Sequence, residues 1–302
     1  MNHVTASAPA KINLTLDIAG RRDDGYHLVH TVMQALDLRE TAAVWEEKEP
    51  GIFLSVVGAD LPADERNTAW KAAEVFRKAV GLPQSGIGIR VHKRIPMGAG
   101  LAGGSADAAA VLAAMNELTG ARLRPDELCG LGAQVGADVP FCVLGGTAVG
   151  EGTGVILTPL PDLPPCWIVV AKPEESISTA EAYRKIDGAE SLPQSRPSAM
   201  EDAVCSGDLV TVGRELGNAF DAVTALPGVS AIKEIMRAHR TLGCQMTGSG
   251  SAVFGLFDDR TWAESCAQAL RSRWGETFLC RPDSGGARIE NRLGKWKKEL
   301  EL

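Results

Sequence analysis

The run Pro96-Met97-Gly98-Ala99-Gly100-Leu101-Ala102-Gly103-Gly104-Ser105-Ala106-Asp107 has the composition of an anion cradle. Its glycines and alanines let backbone N–H groups approach a ligand with few Cβ atoms in the way. The stretch Ser105–Leu118 that follows is rich in helix formers, so a helix points its positive end at the same place. Ser105 is the expected N-cap, and Asp107 falls in the first turn, where negative charge is favoured. Gly120 stops the helix. The expected ligand is a phosphate chain. A ligand-free turn between strand and helix is the plain alternative for a glycine cluster standing alone.

Three other clusters carry groups of chemical interest. In Ala8–Leu16 the period of two puts Lys11, Asn13 and Thr15 on one face of a strand, with Ile12, Leu14 and Leu16 on the other. An ammonium and an amide then stand side by side, unless this is an ordinary exposed polar face. The loop Gly20-Arg21-Arg22-Asp23-Asp24-Gly25-Tyr26-His27 carries an aromatic pair suited to stacking on a planar base, or to capping a core edge. Asp138, in Gly136-Ala137-Asp138-Val139-Pro140-Phe141, is either a satisfied turn residue or a buried base. Thr247-Gly248-Ser249-Gly250-Ser251 offers further N–H and hydroxyl donors, or a hairpin turn.

The glycine run also spells Gly98-x-Gly100-x-x-Gly103, the dinucleotide fingerprint. That fingerprint needs a buried parallel strand leading straight into the glycines. Here Ile87–Ile95 alternates like a half-exposed strand, and Pro96 interrupts the approach. No Walker A lysine follows, and no protein-kinase signature occurs.

Composition narrows the partners. The net charge is −7 and aromatics make up 5%, which argues against a nucleic-acid or anionic-membrane partner. Cations for a phosphate ligand must therefore be local, with Lys11, Arg21, Arg22, Lys93 and Arg94 as candidates. The seven cysteines are scattered, without C-x-x-C spacing, and suit a reducing cytosol. No signal peptide or membrane-spanning run is read, so the expected location is cytoplasmic. The chain is expected to be a monomer or homodimer.

The elements that must position these groups form an α+β pattern. Strands are expected at 11–18, 33–38, 41–46, 52–57 and 87–92, and helices at 68–80, 105–118 and 125–135. Prolines at 157–165 mark a linker. Beyond it come a strand at 167–171, a helix near 178–186, a loop at 191–198, helices at 206–220, 230–240 and 258–274, and strands at 244–247 and 251–257. The expected domains are 1–160 and 161–285, with 286–302 as a charged, solvated tail.

Taken together and in this order, the segments resemble the GHMP kinases, the superfamily of galactokinase, homoserine kinase, mevalonate kinase and phosphomevalonate kinase. The residues that carry the resemblance are PAKINL at 9–14, GRRDDGYH at 20–27, IPMGAGLAGGSADAA at 95–109, GADVPF at 136–141, and AKP at 171–173 with STAEAY at 178–183. It implies a ribosomal-protein-S5-like first domain, a ferredoxin-like second domain and a cleft between them. The branch these residues resemble more closely transfers the γ-phosphoryl of ATP to the 2-hydroxyl of 4-diphosphocytidyl-2-C-methyl-D-erythritol, in the non-mevalonate route to isoprenoids. Carried over, Asp138 is the general base and Lys11 its partner. Asn13, Tyr26, His27, Thr179 and Tyr183 bind the substrate, with Tyr26 and Tyr183 as two plates around cytosine. Residues 96–106 (Pro96, Met97, Gly98, Ala99, Gly100, Leu101, Ala102, Gly103, Gly104, Ser105 and Ala106) cradle ATP, with Asn67 and Lys93 beside its adenosine. Mg²⁺ is expected with ATP, held by phosphates and water rather than by a set of protein metal ligands. The sequence departs from the pattern at Ala102 and Ala106, where many relatives have Gly and Ser. Alanine suits position 102 only if its φ stays negative. The rivals are another GHMP kinase acting on homoserine or mevalonate, a nucleotide-binding regulator without catalysis, and an NAD-dependent oxidoreductase.

Overall fold

Alternating apolar residues through the first part of the chain build a long antiparallel hairpin, β1 (His3–Arg21) and β2 (His27–Glu47). The computed structural model describes residues 3–82 and 84–292. After the hairpin come β3 (Gly51–Val57), α1 (Thr68–Ala79), β4 (Gly86–His92), α2 (Gly103–Thr119), α3 (Pro125–Ala133), α4 (Val139–Leu144), β5 (Thr147–Gly152) and β6 (Ile156–Leu160). The second half holds β7 (Trp167–Ala171), α5 (Thr179–Asp187), α6 (Pro197–Ser206), α7 (Leu209–Arg214), β8 (Gly217–Asn218), α8 (Ala219–Thr224) and α9 (Pro227–Ala238). It ends with β9 (Gly243–Met246), β10 (Val253–Phe257), α10 (Arg260–Arg271), β11 (Thr277–Cys280) and β12 (Arg288–Arg292).

Two sheets organise the molecule, as the α+β reading expects. The larger has eight strands in the order β12-β1-β2-β4-β3, with β5 on β2, β6 on β5 and β8 on β1. The smaller is antiparallel, β11-β7-β10-β9. The largest apolar core crosses from one to the other, joining Ile12, Leu14, Phe76 and Leu112 to Ile168, Val170 and Phe254. Each fully buried side chain of this size is worth about 1.5–3 kcal/mol over leaving it in water.

Four expectations change. The strands expected at 33–38 and 41–46 are one strand, β2. The charged residues between the two expected strands are buried in it: Arg39 donates to Asp283 at 2.6 Å and to the Gly286 carbonyl at 2.5 Å. The expected linker begins as β6, which among the described residues pairs only with β5, so Pro159 sits on an edge where a missing N–H is tolerated. The single helix expected at 206–220 is α6, α7, β8 and α8. Gly207 ends α6 at φ 71°, Asp208 caps α7, and Asn218 pairs with Leu16 before capping α8.

The fourth concerns the tail expected at 286–302. Residues 288–292 form β12, antiparallel to β1, and Ser7 donates to Glu290 at 2.5 Å. Charged side chains suit this strand because it lies at a sheet edge and pairs them locally, as in Arg288 with Glu290. Residues 293–302 of that expectation lie outside the described residues. Among the described residues no helix is long and apolar enough to cross a membrane.

Candidate active site

β1 carries Lys11 and Asn13 into the floor of a cleft of about 1440 Å³ lined by residues of both halves of the chain. The exposed-face alternative fails, since Lys11, Asn13 and Thr15 are all buried. Lys11 Nζ donates to Asn13 Oδ1 at 2.7 Å and lies 3.8 Å from Asp138 Oδ2. Asn13 Oδ1 also accepts from the Gly248 N–H at 3.0 Å, and its Nδ2 donates to Thr31 at 2.8 Å. Most of the amide is thus spent inside the protein, on Lys11, Gly248 and Thr31, with one N–H of Nδ2 left over among the described residues. Asp138 is the N-cap residue of α4, uses no side-chain cap bond, and is 39% exposed to the cleft. Neither alternative read from the sequence holds as stated: the carboxylate is part-exposed rather than buried, and it stands beside a cation rather than folded onto its own turn.

The glycine run wraps over this pair. Lys11 N–H donates to the Leu101 carbonyl at 3.1 Å, and Ala252 N–H to the Ala99 carbonyl at 3.1 Å. Gly100, at φ 74°, comes so close to the second glycine turn that a Cβ would lie 2.1 Å from the Thr247 carbonyl oxygen. Gly248 faces it with the same lack of room. Both glycines are therefore required by close approach. Gly98, Gly103 and Gly104 line the cleft, with Pro96 and the exposed side chain of Met97 at its rim.

Several expected roles shift. Ser105 is not the N-cap: α2 starts at Gly103 after Ala102, and the first turn carries no side-chain cap. Its N–H groups are thus left for a ligand. Ser105 stands beside the Asp138 loop, its hydroxyl 3.9 Å from where a Cβ on Gly136 would lie. Ala106 is fully buried, and its N–H is taken by the Ala102 carbonyl. It faces the core and offers ATP nothing. Asn67 caps α1, accepting from Ala69 N–H at 2.9 Å and donating to the Pro62 carbonyl at 2.8 Å. An asparagine just before a helix carries that signal in sequence.

Lys93 is committed too. Its ammonium lies 2.6 Å from Glu40 and 2.7 Å from Asp107, and all three side chains are buried. Asp107 is therefore an ion-pair partner and not a first-turn dipole residue. Glu40 also accepts from the N–H groups of Arg94 and Ile95, which fixes the entry to the glycine run. No local pattern marks Glu40, because its partner is far along the chain.

In the same cleft Tyr183 stacks on His27. The His27 and Tyr183 rings stack at 4.5 Å and 22°. Tyr26 is 66% exposed at the mouth, where nothing holds it against Tyr183. Burial, and after it the charge of Asp138, raises the Tyr183 hydroxyl pKa. Thr179 Oγ1 lies 3.1 Å from Ser249 Oγ, joining α5 to the second glycine turn. The cleft thus brings together a cation–carboxylate pair, uncapped helix amides and stacked rings.

The GHMP kinases N terminal domain family matches residues 67–146, and the GHMP kinases C terminal family matches residues 200–276. A 4-diphosphocytidyl-2-C-methyl-D-erythritol kinase of Alkaliphilus metalliredigens is 42% identical, over 92% of this chain and 96% of its own length. The chain belongs to the 4-diphosphocytidyl-2-C-methyl-D-erythritol kinase family. A family member from Geobacillus is 40% identical over 91% of this chain and 95% of its own. The crystal structure of a 4-(cytidine 5'-diphospho)-2C-methyl-D-erythritol kinase superposes with a TM-score of 0.77 at 35% identity, covering 93% of this chain and 99% of that one. A homoserine kinase from Cytophaga hutchinsonii reaches a TM-score of 0.78 at 19% identity, which shows a shared fold alone. Fold therefore does not separate substrates within the GHMP kinases.

One residue of this family member sits against its own chemistry. Ala102 has φ 60° and ψ 31°, so the condition under which alanine suits this position is not met. The left-handed conformation costs a non-glycine residue about 1–2 kcal/mol, part of which glycine returns through unfolded-chain entropy. Ala102→Gly is expected to stabilise the protein by about 0.5–1 kcal/mol, read by urea unfolding. A loss of stability would show that the alanine methyl packs better than it strains.

Proposed function

We propose that this chain transfers the γ-phosphoryl of ATP to the 2-hydroxyl of 4-diphosphocytidyl-2-C-methyl-D-erythritol, a step of the non-mevalonate isoprenoid route. The observation that carries this reading is the placement of Lys11 and Asp138, 3.8 Å apart, in one cleft with the glycine run and the His27–Tyr183 stack. The ATP phosphates lie against the uncapped amides of α2. Asp138 accepts the proton of the 2-hydroxyl as its oxygen bonds to the γ-phosphorus, while the bond from that phosphorus to the β–γ bridging oxygen breaks and ADP leaves. Lys11 holds the carboxylate in place and offsets charge near the transferred group. Phosphoryl transfer needs this positioning and neutralisation more than covalent help.

Mg²⁺ belongs to the same reading, and the oxygen donors beside the phosphate end suit a hard cation. Ser105, next to the Asp138 loop, is the residue we assign to it, with the phosphates and water as its other ligands. When bound it supplies charge neutralisation for the phosphates. At the far end His27, Tyr183 and Thr179 meet the cytidyl group, with Tyr26 closing from the mouth and Asn13 donating from the floor. Residues 1–160 serve as the ATP side and 161–285 as the side that closes over substrate, with 286–292 joined to the first. A cytoplasmic monomer or homodimer acting on a small molecule completes the proposal.

The test is ATP consumption by the purified protein with Mg²⁺, offered the diphosphocytidyl substrate, homoserine, mevalonate or galactose. Turnover of the cytidyl compound alone is expected. Turnover of another alcohol instead would keep the kinase and discard the cytosine site. Tight ATP binding without any turnover would favour a regulator.

A further inference from the structure

Asp187 has no part in the chemistry above, yet it touches a residue at the centre of it. It is the last residue of α5, one turn beyond Tyr183, so the two side chains share a face of the helix. Asp187 Oδ1 lies 2.7 Å from His27 Nε2, and Oδ2 lies 3.6 Å from Arg21 Nη1. The His27 ring is therefore held twice, by its face on Tyr183 and by its edge on Asp187. Tyr183 is in turn braced by Phe220, edge-on at 4.9 Å and 87°. His27, Tyr183 and Asp187 all line the cleft.

This arrangement decides which ring nitrogen carries the proton. A carboxylate only accepts hydrogen bonds, so the proton of the 2.7 Å contact sits on Nε2. In a neutral imidazole the other nitrogen, Nδ1, is then a bare acceptor. Among the described residues the His27 ring makes no hydrogen bond beyond this one, so Nδ1 is left for a ligand. Cytosine and uracil differ at their exocyclic position: cytosine has an amino donor there, uracil a carbonyl acceptor. A lone pair facing that position pairs with the first and repels the second.

We propose that Asp187 is a positioning residue that sets base specificity, holding His27 in its Nε2–H tautomer so that Nδ1 accepts from the cytosine amino group and excludes uracil. The proposal rests on the reading that a cytidyl group enters this cleft. A purely structural role is the alternative. It predicts little, because Arg21 and Asp187 are both more than one third exposed and such pairs contribute little to stability. Asp187→Asn keeps the shape but presents either an acceptor or a donor to Nε2, which frees the tautomer.

Wild type and Asp187→Asn are compared at about pH 8, above the ordinary histidine range, with the diphosphocytidyl substrate and its uridyl analogue at saturating ATP. The wild type is expected to prefer the cytidyl compound by about 10²-fold or more in kcat/KM. The variant is expected to raise KM for it about tenfold, to hold kcat and the KM for ATP within about twofold, and to lose about tenfold of the base preference. Long-range ¹H–¹⁵N spectra of the imidazoles supply the direct readout: Nε2–H for His27 in wild type, a mixture in the variant. A wild-type His27 in the Nδ1–H form, or a variant with unchanged KM and base preference, overturns the proposal. A wild type that fails to turn over the cytidyl compound overturns the functional reading itself, and this proposal falls with it.

Discussion

An Asp138→Asn variant loses about 10²–10⁴ of its turnover and keeps its affinity for ATP, if Asp138 is the base. Asparagine has the shape of the carboxylate and still accepts a hydrogen bond from Lys11, but it cannot take the hydroxyl proton. Lys11→Ala is expected to cost a similar factor by another route. Its ammonium is 5% exposed and fixed by Asn13, so the charge acts at a set place in a poorly solvated floor. Removing it leaves Asp138 unoriented and the transferred phosphoryl less well neutralised. Because the two act as a unit, the double variant loses little more than the worse single one. The measurement is kcat at saturating ATP beside nucleotide affinity from titration calorimetry. Near-normal turnover in either single variant would take the pair out of the chemistry.

Lys93→Met is expected to cost about 3–5 kcal/mol of stability, because it leaves two carboxylates buried without a cation. Glu40 is fully buried and Asp107 is 3% exposed, with Lys93 between them. Burial pulls the Lys93 ammonium down, but Asp107 and Glu40 more than reverse it. Burial pushes Asp107 up to about 7 and raises Glu40 as well, against the pull of Lys93. One positive charge cannot offset two negative ones, so the cluster retains an extra proton.

The pH dependence follows from that proton. Between the ordinary value of 3.8 and about 7, folded Asp107 holds a proton that the unfolded chain has released. Its contribution to stability therefore falls as pH rises through that window. Asp107→Asn removes the slope, so this variant gains on wild type from about pH 4 to about pH 8. Urea unfolding across that range reads the difference, and a flat difference would contradict the charge assignment. Since Glu40 also anchors Arg94 and Ile95, Lys93→Met should raise the KM for ATP in whatever fraction folds.

The parts of the site that were legible in sequence are those whose chemistry is local. The glycine run is a backbone requirement written in consecutive residues, and the alternation that put Lys11 and Asn13 on one face survives in β1. Strands 52–57, 87–92 and 167–171 appear within one residue of expectation, because each is a short apolar run between turn signals. What failed depends on distant partners. Arg39 and Glu40 look like a loop until Asp283 and Lys93 arrive to bury them. The His27–Asp187 contact joins residues from opposite halves of the chain, and only the fold brings them together. The conformation of Ala102 is hidden from sequence for a different reason. Tertiary contacts just before it, from Lys11 to Leu101 and from the second glycine turn to Ala99 and Gly100, hold the loop in a shape that alanine itself disfavours.

The pairing of β12 with β1 has a consequence for how the chain reaches this state. Val4 lies opposite Arg292 and Ser7 opposite Arg288, so β1 waits for a strand synthesised after everything that lies between them in the chain. Arg39 waits as well, since its partners Asp283 and Gly286 belong to the same late segment. Contacts of such long sequence separation slow folding, because the loop between them must close before they contribute. A ribosome-bound chain stalled at about residue 280 would present β1 with one open edge and a buried arginine without its carboxylate. During synthesis, that exposed edge is where this protein is most open to chaperone binding or to pairing with a neighbouring chain.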